Sequence, residues 1–232
     1  MGTLTDDLRA REPDIELRET HISRVFLGAR EVIKIKKPVA LGFLDFSTLA
    51  RREAACVAEV ELNSRLAPDV YLGVVPITRG ADGVHRVDGD GEPVEYAVRM
   101  RRLPDAWRAD NRLARGELTP ARVRSVMDEV AAFHERARVD EHTARFGRRE
   151  LVAANVRENF EQAGARARAL LDAAQERELE ARQLGFLADA EALLERRVAA
   201  GRVRDGHGDL RLEHIYLDDD GRVFIIDCIE FN

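Results

Sequence analysis

Between Asp205 and Asn232 the chain reads DGHGDLRLEHIYLDDDGRVFIIDCIEFN, and this stretch concentrates residues that can do chemistry. Asp209 sits in a His-Gly-Asp turn. Ile215 to Leu217 is apolar, Asp218-Asp219-Asp220-Gly221 is a strong turn signal, and a second apolar run from Val223 to Ile226 ends at Asp227. Two short β-rich runs around a DG turn predict an antiparallel hairpin, in which the start of the first strand lies beside the end of the second. His214 and Asp227 are therefore expected across from each other, with Asp209 in the loop just before them. Carboxylates crowded at one end of a hairpin repel, and a bound divalent cation is a usual remedy. Taken singly the pieces are also ordinary structure: an HGD tripeptide says little, and DDDG makes a turn whatever follows it.

Two upstream elements carry further charged candidates. Val25-Phe26-Leu27, a turn at Gly28-Ala29-Arg30, and Glu31 to Lys37 predict another hairpin. Val32, Lys34 and Lys36 share one face of its second strand, Ile33 and Ile35 share the other, and Pro38 ends it. A cationic face on a core strand needs an anion, whereas a solvated edge strand carries lysine without one. A helix is expected from about Ser47 to Leu66. At about 100° per residue, Leu49, Ala55, Cys56, Val60, Leu62, Asn63 and Leu66 fill one arc, with Glu59 near its middle and Glu53 at its edge. A carboxylate in a buried face is costly unless paired. The plain alternative is a rotated helix with Glu59 half exposed.

H-G-D, five residues to a polar position, then a hairpin ending in I-I-D resembles the catalytic and metal loops of the aminoglycoside phosphotransferase and choline kinase superfamily. That superfamily shares the protein-kinase-like fold. The tail D-C-I-E-F-N resembles more closely a bacterial subgroup in which this domain often precedes a P-loop ATPase domain. The resemblance runs from about residue 20 to 232 and is most specific over residues 205–232. It implies that Asp209 orients or deprotonates an acceptor hydroxyl, and that His214 and Asp227 hold the metal of Mg-ATP. The family usually has Asn where this chain has His214, so Mn²⁺ becomes an expected alternative to Mg²⁺. It also implies that Lys34 pairs with the ATP phosphates and is held by Glu59, preferred over Glu53, with Lys36 as the reserve. Thr20-His21-Ile22-Ser23 stands where a Gly-rich loop would be; its amides and the Ser23 hydroxyl would cover the phosphates. Met100-Arg101-Arg102-Leu103-Pro104 resembles the hinge, where the backbone of Met100 and Arg102 would bind adenine. His207 would brace the loop.

The implied fold is α+β and two-lobed. Residues 1–102 form a small antiparallel β lobe with one helix, and the hinge falls near 100–104. Residues 103–232 form a mainly helical lobe. Kinase-like large lobes continue beyond this point, so the chain reads as truncated at its C-terminus. No G-x-x-x-x-G-K-S/T occurs, which leaves any P-loop ATPase partner outside this chain. Further strands are expected at Tyr71 to Ile77, Val84 to Val87 and Val94 to Met100, giving a five-stranded sheet, with residues 1–18 a short helix or loose arm. Thr119 reads as an N-cap with Pro120 at the first helical position. Val123, Val126, Met127, Val130, Phe133 and His134 form the expected buried stripe of that helix. Residues 150–200 have strong helix propensity.

Composition narrows the class. Of 232 residues, 45% are hydrophobic and 34% charged, as in ordinary globular chains. A net charge of -6 argues against nonspecific nucleic-acid binding. Cys56 and Cys228 are far apart and read as free thiols of a reducing compartment. The N-terminus is too polar for a signal peptide, and no apolar run approaches the ~20 residues that span a bilayer. A cytoplasmic location is expected, without membrane partners. Three functions compete. One is an ATP-dependent phosphotransferase acting on a hydroxyl of a small molecule that the sequence does not identify. Another is a nucleotide-binding regulatory or interaction module, pseudokinase-like, without phosphoryl transfer. The third is a metal hydrolase using His207, Asp209, His214 and Asp227.

Overall fold

The computed structural model describes residues 3–41, 44–167 and 169–230; Phe231 and Asn232 of the tail lie outside them. The fold is α+β, a curled antiparallel sheet with a helical part. The chain packs as two compact units, Met1–Phe133 with His207–Asn232, and His134–Gly206. This division by packing differs from the lobe boundary expected near residues 100–104.

The first unit opens with α1 (Leu4–Arg11), capped reciprocally by Thr3 and Asp6. There follow β1 (Glu16–Glu19), β2 (Ser23–Leu27), β3 (Glu31–Lys36), β4 (Ala40–Leu41), β5 (Leu44–Asp45), α2 (Leu49–Asn63), β6 (Tyr71–Arg79), β7 (His85–Val87) and β8 (Glu92–Arg101). After α3 (Ala109–Ala114) and α4 (Pro120–Arg136), the chain returns to this unit with β9 (Ile215–Leu217) and β10 (Val223–Ile225). The main sheet has the order β1-β2-β3-β8-β6-β7, with antiparallel pairing throughout. It is one strand larger than expected. Glu16–Glu19 pairs with β2 as an edge strand, its charged residues exposed and Leu17 turned to a core. One apolar residue in four gave too little alternation to mark a strand.

The sheet separates two cores. Phe26, Ile33, Ile35, Ile77 and Ala97 pack with Leu8 of α1 on one face. Val32, Val98 and Met100 pack with Cys56 of α2, Val70, Tyr71 and Phe224 of β10 on the other. A third cluster joins Val126, Val130 and Phe133 of α4 to Ile215, Leu217 and Ile225, and so seats the β9–β10 hairpin. The α4 stripe is narrower than the sequence suggests: Val123, Met127 and His134 are exposed. Thr119 does cap α4, its hydroxyl accepting from the Arg122 amide at 3.3 Å.

The second unit contains α5 (Glu141–Ala144), α6 (Arg149–Ala167), α7 (Ala173–Asp189) and α8 (Glu191–Ala199). Asp140 and Asp172 cap α5 and α7 with reciprocal bonds to Thr143 and Gln175. Among the described residues, no helix is long and apolar enough to cross a membrane.

Candidate active site

The β3 strand delivers two lysines to one face because its side chains alternate. Register with β2 places Ser23 opposite Lys36 and Val25 opposite Lys34. Across from this face, α2 buries Arg52, Cys56, Glu59 and Asn63, one stripe at helical spacing. Three of the four are polar, and each has a partner. Arg52 holds Glu95 of β8 at 2.8 Å and donates to the Phe46 carbonyl at 2.9 Å. Asn63 donates to the Glu59 carbonyl, and its side-chain oxygen accepts from the Cys228 amide, both at 2.8 Å.

Glu59 takes both lysines. Its Oε1 lies 2.9 Å from Lys34 Nζ and its Oε2 lies 2.5 Å from Lys36 Nζ. The side chains of Glu59 and Lys36 are 1% exposed. Lys34 reaches further to Asp227 Oδ1 at 2.6 Å, and Lys36 to Glu230. A line of alternating charge results: Asp227, Lys34, Glu59, Lys36, Glu230. Burial opposes charge on Lys34, but Glu59 and Asp227 outweigh it and hold the ammonium well above the usual lysine value. Burial likewise opposes charge on Glu59, and the two lysines overcome it.

The hairpin supplies the other half. Ile215 pairs with Ile225, and the Ile226 amide donates to the His214 carbonyl at 3.0 Å, so the ladder closes just before Asp227. Asp227 adopts φ +67°, a left-handed backbone that costs a non-glycine residue about 1–2 kcal/mol. Its amide donates to the Tyr71 hydroxyl oxygen at 3.1 Å, which helps hold the turn. Lys34 depresses the Asp227 carboxyl to about 2, against burial. The other oxygen, Oδ2, lies 3.5 Å from His214 Nε2.

In the His-Gly-Asp turn, Gly208 has φ +86° and an added Cβ would meet Ile229 at 3.1 Å. His207 Nε2 donates to the Ile226 carbonyl at 2.9 Å, and its Nδ1 accepts from the Asp209 amide at 3.3 Å. His207 is therefore a brace with both ring nitrogens engaged. His214 Nδ1 lies 2.8 Å from the Asp209 carbonyl, which can only accept, so Nδ1 carries the proton and Nε2 presents its lone pair. Arg211 spans this corner, 3.2 Å from Asp209 Oδ2 and 3.1 Å from His214 Nε2.

The structure thus brings together Asp209, His214, Asp227, Lys34 and Glu59. It places the other expected site residues differently. Ser23 is a buried strand residue whose hydroxyl has no hydrogen-bond partner among the described residues. The Thr20–Ser23 turn closes on itself: the Thr20 amide donates to the Ser23 carbonyl, and the Ser23 amide to Thr20 Oγ1, both at 2.9 Å. Met100 packs in the core between Val32 and Tyr71. The Arg102 amide donates to the Arg30 carbonyl at 2.8 Å, so that N–H is already engaged. Sequence reasoning missed Glu230, Arg211 and Tyr71. Charge counting could have found Glu230, since two lysines on one buried face ask for more than one carboxylate.

His214 Nε2 and the half-exposed Asp227 Oδ2 could both reach one divalent ion. Among the described residues no group of three His, Cys, Asp or Glu side chains could hold a metal alone. Two donors fit a metal whose remaining ligands are phosphate oxygens and water, the usual way Mg²⁺ is held. Such an ion on Nε2 would displace Arg211. The set fits a metal hydrolase poorly, because both His207 nitrogens are occupied.

The pair of Lys34 and Asp227 has a signed pH dependence. Asp227 titrates lower folded than its ordinary 3.8, so its contribution to stability is full above that value and is lost as pH falls through about 2. Lys34 titrates above its ordinary 10.5, so its contribution holds below that value and is lost as pH rises through the raised one. Lys34→Met is expected to flatten the fall in stability between about pH 4 and pH 2. Urea midpoints across that range test it; an unchanged curve shape would mean Lys34 does not hold Asp227 down.

No family model matches the chain. An uncharacterized protein of Mycobacterium bovis and uncharacterized proteins of two Mycobacterium tuberculosis strains are each 34% identical to it over 220 residues, 95% of this chain and 42% of theirs. The chain therefore spans less than half the length of these curated relatives, and their names state no activity.

Proposed function

We propose that this chain carries the nucleotide-binding and catalytic parts of an ATP-dependent phosphotransferase of protein-kinase-like fold, acting on a hydroxyl of a small molecule. The observation that carries the reading is the Asp227–Lys34–Glu59 line, built from three separate elements beside the His-Gly-Asp loop. Lys34 would turn from Asp227 toward the nucleotide phosphates while Glu59 keeps hold of it. Asp227 and His214 would bind Mg²⁺ or Mn²⁺, which neutralises phosphate charge when present. Asp209, a half-buried carboxylate on a braced loop, would align the acceptor hydroxyl and take its proton. Arg211, displaced from His214 by the metal, would keep its pair with Asp209. The work is positioning and charge stabilisation, as phosphoryl transfer requires. The relatives are long enough to hold a second domain, and a P-loop ATPase is the partner proposed for it.

A nucleotide-binding module without transfer is the second reading. It is favoured by Arg211 capping His214 and by the closed Thr20–Ser23 turn, which offers few free amides to phosphates. ADP release from ATP with Mg²⁺ or Mn²⁺, with and without a panel of alcohol acceptors, separates the two. Acceptor-dependent release supports the transferase, and tight ATP binding without release supports the module.

Metal choice gives a sharper test of His214. Imidazole nitrogen suits Mn²⁺ better than Mg²⁺, which prefers oxygen. ATP binding by the wild type is expected to favour Mn²⁺, and His214→Asn to shift the preference toward Mg²⁺. An unchanged preference in the variant would mean that His214 is not a metal ligand.

A further inference from the structure

The Lys34–Glu59 pair does not stand alone. Each oxygen of Glu59 receives a different lysine, and Lys36 takes Oε2 at 2.5 Å. Among the described residues, neither oxygen has another hydrogen-bond donor. Lys36 is as buried as Glu59 and lies over the Phe46 ring at 5.4 Å from its centroid. It is therefore closed off from any ligand that Lys34 could meet. Its second partner is Glu230, whose side chain is 7% exposed.

Glu230 lies three residues beyond Asp227, and both reach lysines two residues apart on one strand. Lysines at such positions are about 6.6 Å apart along the strand, whereas three extended residues span about 10 Å. The left-handed backbone of Asp227 bends the segment and lets both carboxylates reach their lysines. The same segment is pinned by the Cys228 amide on Asn63 and by the Ile229 amide on the His207 carbonyl at 3.1 Å. Side chains at both ends of the segment are thus tied to β3, and backbone amides between them are tied to α2 and the His-Gly-Asp turn.

We infer that Lys36 and Glu230 form a positioning pair, which orients the Glu59 carboxylate toward Lys34 and anchors the segment that carries Asp227. The inference rests on the phosphotransferase reading for what is positioned, but not for the tether itself. Lys36 occupies one oxygen of Glu59 and leaves the other for Lys34. Glu230 transmits the place of β3 to Asp227, so the residue that would meet phosphate and the residue that would hold metal keep a fixed separation.

The charge balance sets the sign of the test. The network holds three carboxylates and two lysines. Glu230→Gln leaves two of each and preserves both Glu59 pairs, so the variant should fold. Lys36→Met leaves three carboxylates around one lysine, and adding Glu230→Gln removes one of the excess charges. The double variant should therefore melt higher than Lys36→Met alone. In Glu230→Gln, amide hydrogen exchange at Asp227, Cys228 and Ile229 should quicken. The Mg²⁺ concentration that half-saturates ATP binding should rise about tenfold or more, the range for groups that support metal ligands. ATP binding without metal should stay unchanged, and Glu230→Asp should restore part of the metal response.

Unchanged exchange in Glu230→Gln, or a double variant that melts no higher than Lys36→Met, overturns the tether. Unchanged Mg²⁺ dependence in a variant with faster exchange overturns the positioning role. A wild-type protein that binds no ATP with either metal overturns the phosphotransferase reading and the positioning role with it. Exchange and melting then still decide the tether.

Discussion

Lys36→Met is expected to be the most destabilising single change in the ion-pair network, by about 3–5 kcal/mol, the range for leaving buried charge without its partner. Folded domains have only about 5–15 kcal/mol in hand, so this loss is a large fraction of the whole. Glu59 would keep one lysine for two buried oxygens, and Glu230 would lose the lysine it is paired with. Lys34→Met removes the same charge but should cost less stability, because Asp227 has a 44% exposed side chain and water can solvate it. The order for ATP binding should be the reverse. Lys34 is 15% exposed and stands at the open end of the line, where a phosphate could replace Asp227. Chemical denaturation and ATP titration of both variants test the pair of orders. Equal stability losses would mean that burial does not rank the two lysines.

Asp209→Asn is expected to lower phosphoryl transfer by about 10²–10⁴-fold, the usual worth of a positioned general base. It should leave ATP affinity as it was. The geometry gives a reason for a clean effect. The loop is held by the Asp209 backbone, whose amide donates to His207 and whose carbonyl accepts from His214. Among the described residues the side chain pairs with Arg211, at 3.2 Å, and an amide oxygen can still accept there. The loop should therefore survive the change while the base is lost. Transfer at near wild-type rate in this variant would remove Asp209 from the proton-transfer role.

Much of the site follows from short-range rules. Alternation along Glu31–Lys36 puts Lys34 and Lys36 on one face in any sheet that buries Ile33 and Ile35 on the other. The Asp-Gly turn places His214 beside Asp227 because a hairpin of that length has few registers. Helical spacing turns Glu59 inward with Cys56 and Asn63. These features depend on neighbours within one or two turns of chain, and they were legible before any fold was known.

The partners were decided only by the tertiary structure. Lys34 and Asp227 are 193 residues apart, and Lys36 and Glu230 are 194 apart. Periodicity says which way a side chain faces, but not what arrives from the far end of the chain to meet it. For that reason strand alternation alone marks Lys36 as no more than a reserve for Lys34, whereas it shares Glu59 with Lys34 and pairs with Glu230. The edge strand at Glu16–Glu19 escaped for a related reason: backbone pairing with β2 makes it, and its side chains carry almost no pattern. Amides behave the same way. The sequence left those of Ser23 and Arg102 available to a nucleotide, and only the folded turn and sheet end show that Thr20 Oγ1 and the Arg30 carbonyl already accept from them. The amino-acid pattern determined which charges turn inward, and long-range packing determined which of them meet.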